Sequence, residues 1–171
     1  MQTKNVSVLP YDPAWMQDFE AIRRELSLCL GELALSIEHV GSTSVAGLSA
    51  KPIIDIDVVI RNDTPLEAVI AALAGIGYEH EGDLGIPRRE AFRYDGKPHL
   101  KEHHLYVCPA SSPELRRHIT FRDYLRTHPE DAAAYGRVKE EAARLYPEDI
   151  GGYIAHKQGC ILSLYEKYGL I

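Results

Sequence analysis

Two aspartates one residue apart, Asp55 and Asp57, stand inside an otherwise apolar run from Ile53 to Ile60. A carboxylate placed there loses its hydration, at a cost of roughly several kcal/mol, unless a cation or hydrogen-bond donors compensate it. Strand alternation puts Asp55 and Asp57 on one face with Ile53 and Val59, and Ile54, Ile56, Val58 and Ile60 on the other. Two neighbouring carboxylates on one face can hold one or two divalent cations, and an oxygen donor set favours Mg²⁺ or Mn²⁺ over zinc. The bland alternative is a strand end whose carboxylates are satisfied by loop donors. Upstream lies Gly41-Ser42-Thr43-Ser44. Its glycine permits close backbone approach, and its hydroxyls and backbone N–H groups suit phosphate oxygens. Neither a G-x-x-x-x-G-K-[ST] loop nor a G-x-G-x-x-G fingerprint occurs.

The elements that must position these residues are legible from periodicity. Val6 to Leu9 reads as a short strand. Asp12-Pro13 starts a helix, with Trp15, Phe19, Ile22, Leu26, Cys29 and Leu33 as its buried stripe. Thr64-Pro65-Leu66-Glu67 has the form of a capping box, followed by the core face Leu66, Val69, Ile70 and Leu73, with Gly75 or Gly77 as the stop. Ile76 to His80 and Ala91 to Tyr94 read as paired strands around a loop from Glu81 to Arg89, and Leu105 to Val107 as a further strand. Alternation of helix and strand up to about Pro109 argues for an α/β or α+β sheet domain. Past Ser111 the pattern is all helix, with starts at Ser112-Pro113, Pro129 and Glu148-Asp149. The last carries the stripe Tyr153, Ile161, Leu164, Tyr165 and Tyr168. Pro109-Ala110-Ser111 is too short to free a second domain, so residues 1–171 are expected as one domain, a sheet core over 1–110 and a helical segment over 111–171 packed on it.

The order of these parts, a strand, a Gly-Ser turn, then a strand bearing D-x-D, looks like the nucleotidyltransferase superfamily signature. The chain more closely resembles the GrpB family of small nucleotidyltransferase-fold proteins. The matching blocks are Tyr11-Asp12-Pro13 with Trp15, EHVGSTSVAGLSAKPIIDIDVVI from Glu38, GIPRREAFRY from Gly85, HHLYV from His103 and RRHITFRDYLRTHPE from Arg116. The resemblance implies a mixed β-sheet core flanked by helices and a metal-dependent transfer of a nucleotidyl group from an NTP to an unknown acceptor. Asp55 and Asp57 would hold Mg²⁺ or Mn²⁺, and Gly41, Ser42 and Thr43 would meet the phosphates. A nucleotide- or phosphorylated-ligand-binding module without turnover is the alternative. Many superfamily members carry a third carboxylate on a neighbouring strand, and no acidic residue takes that place here. Glu102 is near it but sits at the strand entrance.

Parity supplies a further candidate. His104 and Tyr106 share one face of the late strand, and His103, Leu105 and Val107 the other, so His104 is expected beside the aspartates as a third ligand or a proton carrier. Lys51 precedes the D-x-D strand and either lies at its far end or folds back through the loop. Arg88 and Arg89, in a Gly/Pro loop, are candidates to present guanidinium forks to phosphate. Arg117, Arg122 and Lys157 are read as solvated helix charges, Arg122 in an ion pair with Asp123.

The net charge of −6, with no basic stripe, argues against a long nucleic acid or an anionic membrane as partner and leaves a nucleotide or phosphorylated small molecule. Three cysteines without a C-x-x-C read as thiols in a reducing compartment. The opening MQTKNVSVLPYDPAW lacks a signal-peptide core and no apolar run approaches a membrane span, so a cytoplasmic location is expected.

Overall fold

The computed structural model describes residues 5–171, so the first four residues of the expected domain lie outside it. Asp12 opens the first helix: its Oδ1 accepts from the N–H of Ala14 at 2.9 Å, at the start of α1 (Ala14–Leu30). Trp15, Ile22, Leu26 and Leu30 are the buried face of α1, with Phe19 and Cys29 at its margin and Leu33 in the 3₁₀ turn Gly31–Leu33 that follows. Then come β1 (Ser36–Val40), a 3₁₀ turn at Ser42–Ser44, β2 (Ile54–Ile60), α2 (Leu66–Ala74), β3 (Tyr78–Gly82), β4 (Glu90–Tyr94) and β5 (His103–Pro109). Three helices close the chain, α3 (Pro113–Thr127), α4 (Pro129–Leu145) and α5 (Ile150–Lys167). Two start on side-chain caps, the Ser112 hydroxyl accepting from the N–H of Leu115 and the Asp149 carboxylate from that of Gly152.

Two local expectations fail. Val6 to Leu9 forms no strand but a single antiparallel bridge, Leu9 to Ala50, because only one residue there finds an edge to pair with. Thr64 does not cap α2: the helix begins at Leu66 behind an extended Pro65, without a side-chain cap. Pro65 itself takes the N-cap place and has no side-chain acceptor to offer, so the capping-box spacing is present and its hydrogen bonds are not.

The sheet order is β1-β2-β5-β4-β3. The β2–β5 pair is parallel and the others antiparallel, as the long crossover through α2, β3 and β4 allows. Ile54, Ile56, Val58 and Ile60 are buried with Leu105, Val107, Phe92 and Tyr78 against α1 and α2. On the opposite face Val59 and Cys108 meet Leu115 of α3, while Leu125, Ala132, Tyr135, Leu164 and Tyr168 pack with Val45 and Leu48 of the segment before β2. Every apolar residue of β2 is thereby covered, and its polar residues must be answered by whatever crosses the second face. Among the described residues no helix is long and apolar enough to cross a membrane.

His39 of β1 is buried, stacks on Phe19 at 4.7 Å and shares a 2.9 Å hydrogen bond between Nε2 and the Thr43 hydroxyl. Burial, opposed by nearby Asp55, pushes its pKa down to about 4. A histidine held neutral contributes stability above its unfolded pKa of about 6.5, and that contribution is lost as pH falls toward 4. Urea unfolding at pH 7 and pH 5 is expected to show a decline that His39→Gln reduces by roughly 2 kcal/mol; an equal decline in the variant would refute the assignment.

Candidate functional site

The site grows from the start of β2. In the parallel pair Asp55 stands opposite His104 and Asp57 opposite Tyr106, while β1 sets Val40 and Glu38 against the same two aspartates. Asp55 Oδ1 lies 3.0 Å from His104 Nδ1, and both side chains are about one-third exposed, 34% and 35%. With Nδ1–H donated to Asp55, the free nitrogen of a neutral His104 is Nε2, which makes no hydrogen bond among the described residues. His103 points to the other face, where it is buried beneath Tyr94 and its Nε2 meets the Tyr78 hydroxyl at 2.7 Å.

Gly41 sits directly on Asp55. A Cβ at position 41 would lie 2.3 Å from Asp55 Oδ2, and the residue holds φ at +74°. Both facts require glycine. The turn is fastened by the Ser44 hydroxyl donating to Gly41 O at 2.5 Å.

Asp57 has a different fate. It is fully buried, and α3 lays His118 across it, Nδ1 to Asp57 Oδ2 at 2.6 Å. The other ring nitrogen, Nε2, faces Glu114 Oε1 at 3.1 Å. With a carboxylate at each nitrogen, both must donate, so the ring is an imidazolium. Burial works against that charge, but the hydrogen bonds to Asp57 and Glu114 outweigh it and raise the pKa to about 9. Asp57 Oδ1 is buried and has no hydrogen-bond partner among the described residues.

His118 belongs to a stripe with a spacing of four. His118 holds Asp57 and is held in turn by Glu114; Arg122 reaches Glu38 at 2.8 Å and the His39 carbonyl at 3.1 Å; Arg126 donates twice to the Ser44 carbonyl, at 3.0 and 2.8 Å. This stripe docks α3 across the strands and the Gly-Ser turn. Arg122 does pair with Asp123, at 2.9 Å, but its larger role is this docking, and its side chain is only 11% exposed. The four-residue recurrence of Glu114, His118, Arg122 and Arg126 is the sequence signal that reveals it.

Beyond Asp55 a cavity of about 170 Å³ opens between the Gly-Ser turn and the last two helices. Ser42, Lys51, Asp55, His104, Lys139 and Lys157 line it. Lys51 therefore folds back into the site. Lys157, expected on a solvated face, is half-buried here because α5 packs inward through Tyr153. Lys139 of α4, which sequence reading missed, is 2% exposed and its Nζ has no hydrogen-bond partner among the described residues. These ammonium groups stand over rings, Lys51 and Lys157 at 5.4 and 4.8 Å from the Tyr153 centroid and Lys139 at 4.5 Å from that of Tyr135. Burial first and then repulsion from a neighbouring lysine bring Lys139 down to about 7 and Lys157 to about 8.

Arg88 and Arg89 do not join this cavity. Arg88 reaches the carbonyl and hydroxyl of Ser111 at the start of α3, and Arg89 stacks on Tyr106 at 4.3 Å, because their loop closes over the β4–β5 side of the sheet. Asp57 is likewise outside the cavity, beneath His118. Among the described residues no group of three or more His, Cys, Asp or Glu side chains is arranged to hold a metal. Magnesium commonly takes one or two carboxylates and completes its shell with water and substrate phosphates. The accessible Asp55 carboxylate fits an ion of that kind arriving with phosphate and does not fit a standing protein-only metal site, while Asp57, fully buried and paired with His118, does not face the cavity.

Comparison with known proteins agrees with the fold. The family model described as GrpB protein matches residues 5–167. A UPF0157 protein of Pseudomonas aeruginosa is 40% identical over 154 residues, covering 89% of this chain and 63% of the relative. The UPF0157 protein YqkA of Bacillus subtilis is 32% identical over 163 residues, covering 95% and 47%. The chain thus spans less than two-thirds of either relative. The crystal structure of conserved protein GrpB from Enterococcus faecalis superposes with a TM-score of 0.79 at 34% identity, over 95% of this chain and 99% of that one. The Cid1 poly(U) polymerase, in a crystal structure bound to MgATP, gives 0.56 at 14% identity over 80% of this chain and 44% of Cid1, a likeness of fold.

Removing one partner of a buried charge pair strands the other, so His118→Ala should cost about 3–5 kcal/mol in urea unfolding at pH 7. The raised pKa adds a signed prediction. The stability His118 contributes is complete below pH 6.5 and is lost as pH rises through about 9. Wild-type stability should fall by roughly 2 kcal/mol between pH 7 and pH 9, and His118→Gln should remove that slope; an unchanged slope would exclude the imidazolium.

Proposed function

On the premise that this chain belongs to the GrpB family and has a nucleotidyltransferase-like fold, we propose that it binds a nucleoside triphosphate at the Asp55 cleft and transfers the nucleotidyl group to a hydroxyl acceptor. The observation that carries this reading is the single junction of Gly41, Asp55 and His104. The Gly-Ser turn lies on a partly exposed carboxylate that orients an imidazole toward the cavity.

The roles follow from that geometry. Asp55 fixes the His104 tautomer, so that Nε2 is free to take the proton of an acceptor hydroxyl as its oxygen bonds to the α phosphorus. The bond from that phosphorus to the β-phosphate oxygen breaks and pyrophosphate leaves. Ser42 and the lysine-lined cavity lie on the side where the leaving phosphates would collect. Asp55 would hold Mg²⁺ or Mn²⁺, which would neutralise phosphate charge, with Asp57 held beneath it by His118.

A second reading, nucleotide binding without turnover, is favoured by one specific feature. His118 already neutralises Asp57, and β5 offers His104 and Tyr106 where a third carboxylate would stand. Pyrophosphate release from each NTP with Mg²⁺ or Mn²⁺ separates the two. Transfer predicts release that Asp55→Asn lowers at least a hundredfold, while a binding module predicts nucleotide-dependent thermal stabilisation and no release. Release of orthophosphate alone would point to hydrolysis and sink the transfer reading.

A further inference from the structure

The cavity beside Asp55 contains more positive charge than the protein itself uses. Lys51, Lys139 and Lys157 reach it from three different segments, the loop before β2, α4 and α5. None of the three forms an ion pair among the described residues. Their neighbours are aromatic faces, which attract a cation without cancelling its charge. The nearby acids do not pair with them: Asp55 accepts from His104, Glu140 accepts from the Ser49 hydroxyl at 2.5 Å, and Glu102, exposed at the entrance to β5, acts on Lys51 only at a distance. Lys139 is the decisive group, since a buried ammonium without a partner is destabilising, and a chain gains nothing for its fold by keeping one. A methionine would fill the same volume. Beyond their burial, Lys139 is lowered by Lys157 and Lys51, and Lys157 by Lys51, which fits like charges converging on one space. With room for on the order of five waters, that space suits a chain of phosphates and not a nucleoside.

We propose that this three-lysine cavity is a polyphosphate-binding site in its own right, whose ligand is neutralised by protein ammonium groups and needs no metal ion to bind. The site shares its location with the nucleotide reading and rests on the phosphate end of that reading, not on transfer. The hydroxyl of Ser42 adds a donor to the same cavity, and Asp55 with His104 marks the end at which a metal-dependent step would begin. The ligand class is a diphosphate or triphosphate chain, free or as the tail of a nucleotide.

The test is calorimetric titration of the full chain with inorganic tripolyphosphate in EDTA at pH 7, set against orthophosphate and ATP under the same conditions. Saturable one-to-one binding of tripolyphosphate is expected, with orthophosphate at least tenfold weaker. ATP binding as well as tripolyphosphate would identify a nucleotide tail as the natural form, and exclusion of ATP a free polyphosphate; either supports the site. Lys139→Met should weaken tripolyphosphate binding at least tenfold while leaving the ligand-free unfolding midpoint unchanged or higher, a combination that a structural role for Lys139 would not give. Lys157→Met, at a less buried position, should also weaken binding. Binding seen only when Mg²⁺ or Mn²⁺ is restored, binding unaffected by both substitutions, or equal affinity for orthophosphate would each overturn the proposal. Failure of NTP turnover with tripolyphosphate binding intact would remove the transfer reading alone, and turnover with strictly metal-dependent phosphate binding would remove this one alone.

Discussion

The buried contact between Asp57 and His118 is the constraint around which the second face of the sheet is built. A carboxylate in the middle of an interior strand needs a cation, and the protein provides one from α3. The answer is itself anchored: Glu114 fixes the far side of the imidazolium, and Arg122 and Arg126 continue the same helix face onto Glu38, the His39 carbonyl and the Ser44 carbonyl. One polar stripe therefore sets the height and direction of α3. Through α3 it sets where α4 and α5 stand, and so where Lys139 and Lys157 meet Lys51.

This arrangement divides the two aspartates. Equal in sequence and on one face, they differ in access because α3 crosses one and not the other. Asp57 is tied into the scaffold, with one oxygen left over. Asp55, near the strand start, is left to the cleft with Gly41 against it and His104 beside it. The chemistry of the cleft is thus that of one accessible carboxylate–imidazole pair beside an electropositive cavity, and the second carboxylate supports it from beneath.

Much of this was legible in the chain. The alternation from Ile53 to Ile60 assigned the faces of β2, parity put His104 rather than His103 beside Asp55, and the glycine of the Gly-Ser turn is required by the contact it makes. The helix starts at Asp12, Ser112 and Asp149 were readable because capping is local chemistry between residues two or three apart. The failures have the same character in reverse. Thr64 carries a capping pattern that the backbone geometry at Pro65 does not use, and Arg88 and Arg89 have the right side chains on a loop that closes toward Ser111 and Tyr106.

By itself the sequence determined the elements, the faces of the strands, the family resemblance and the pairing of a Gly-Ser turn with a D-x-D strand, because these depend on periodicity and on contacts between near neighbours. Tertiary structure alone decided that the cation expected beside Asp57 is His118, 61 residues away, and that three lysines from separate segments share one cavity with Asp55. The reason is that a charge is neutralised or left free by what lies within a few ångströms in space. The helices that bring His118, Lys139 and Lys157 there are placed by packing; the four-residue recurrence along α3 marks a polar face but not the strand residues that face meets.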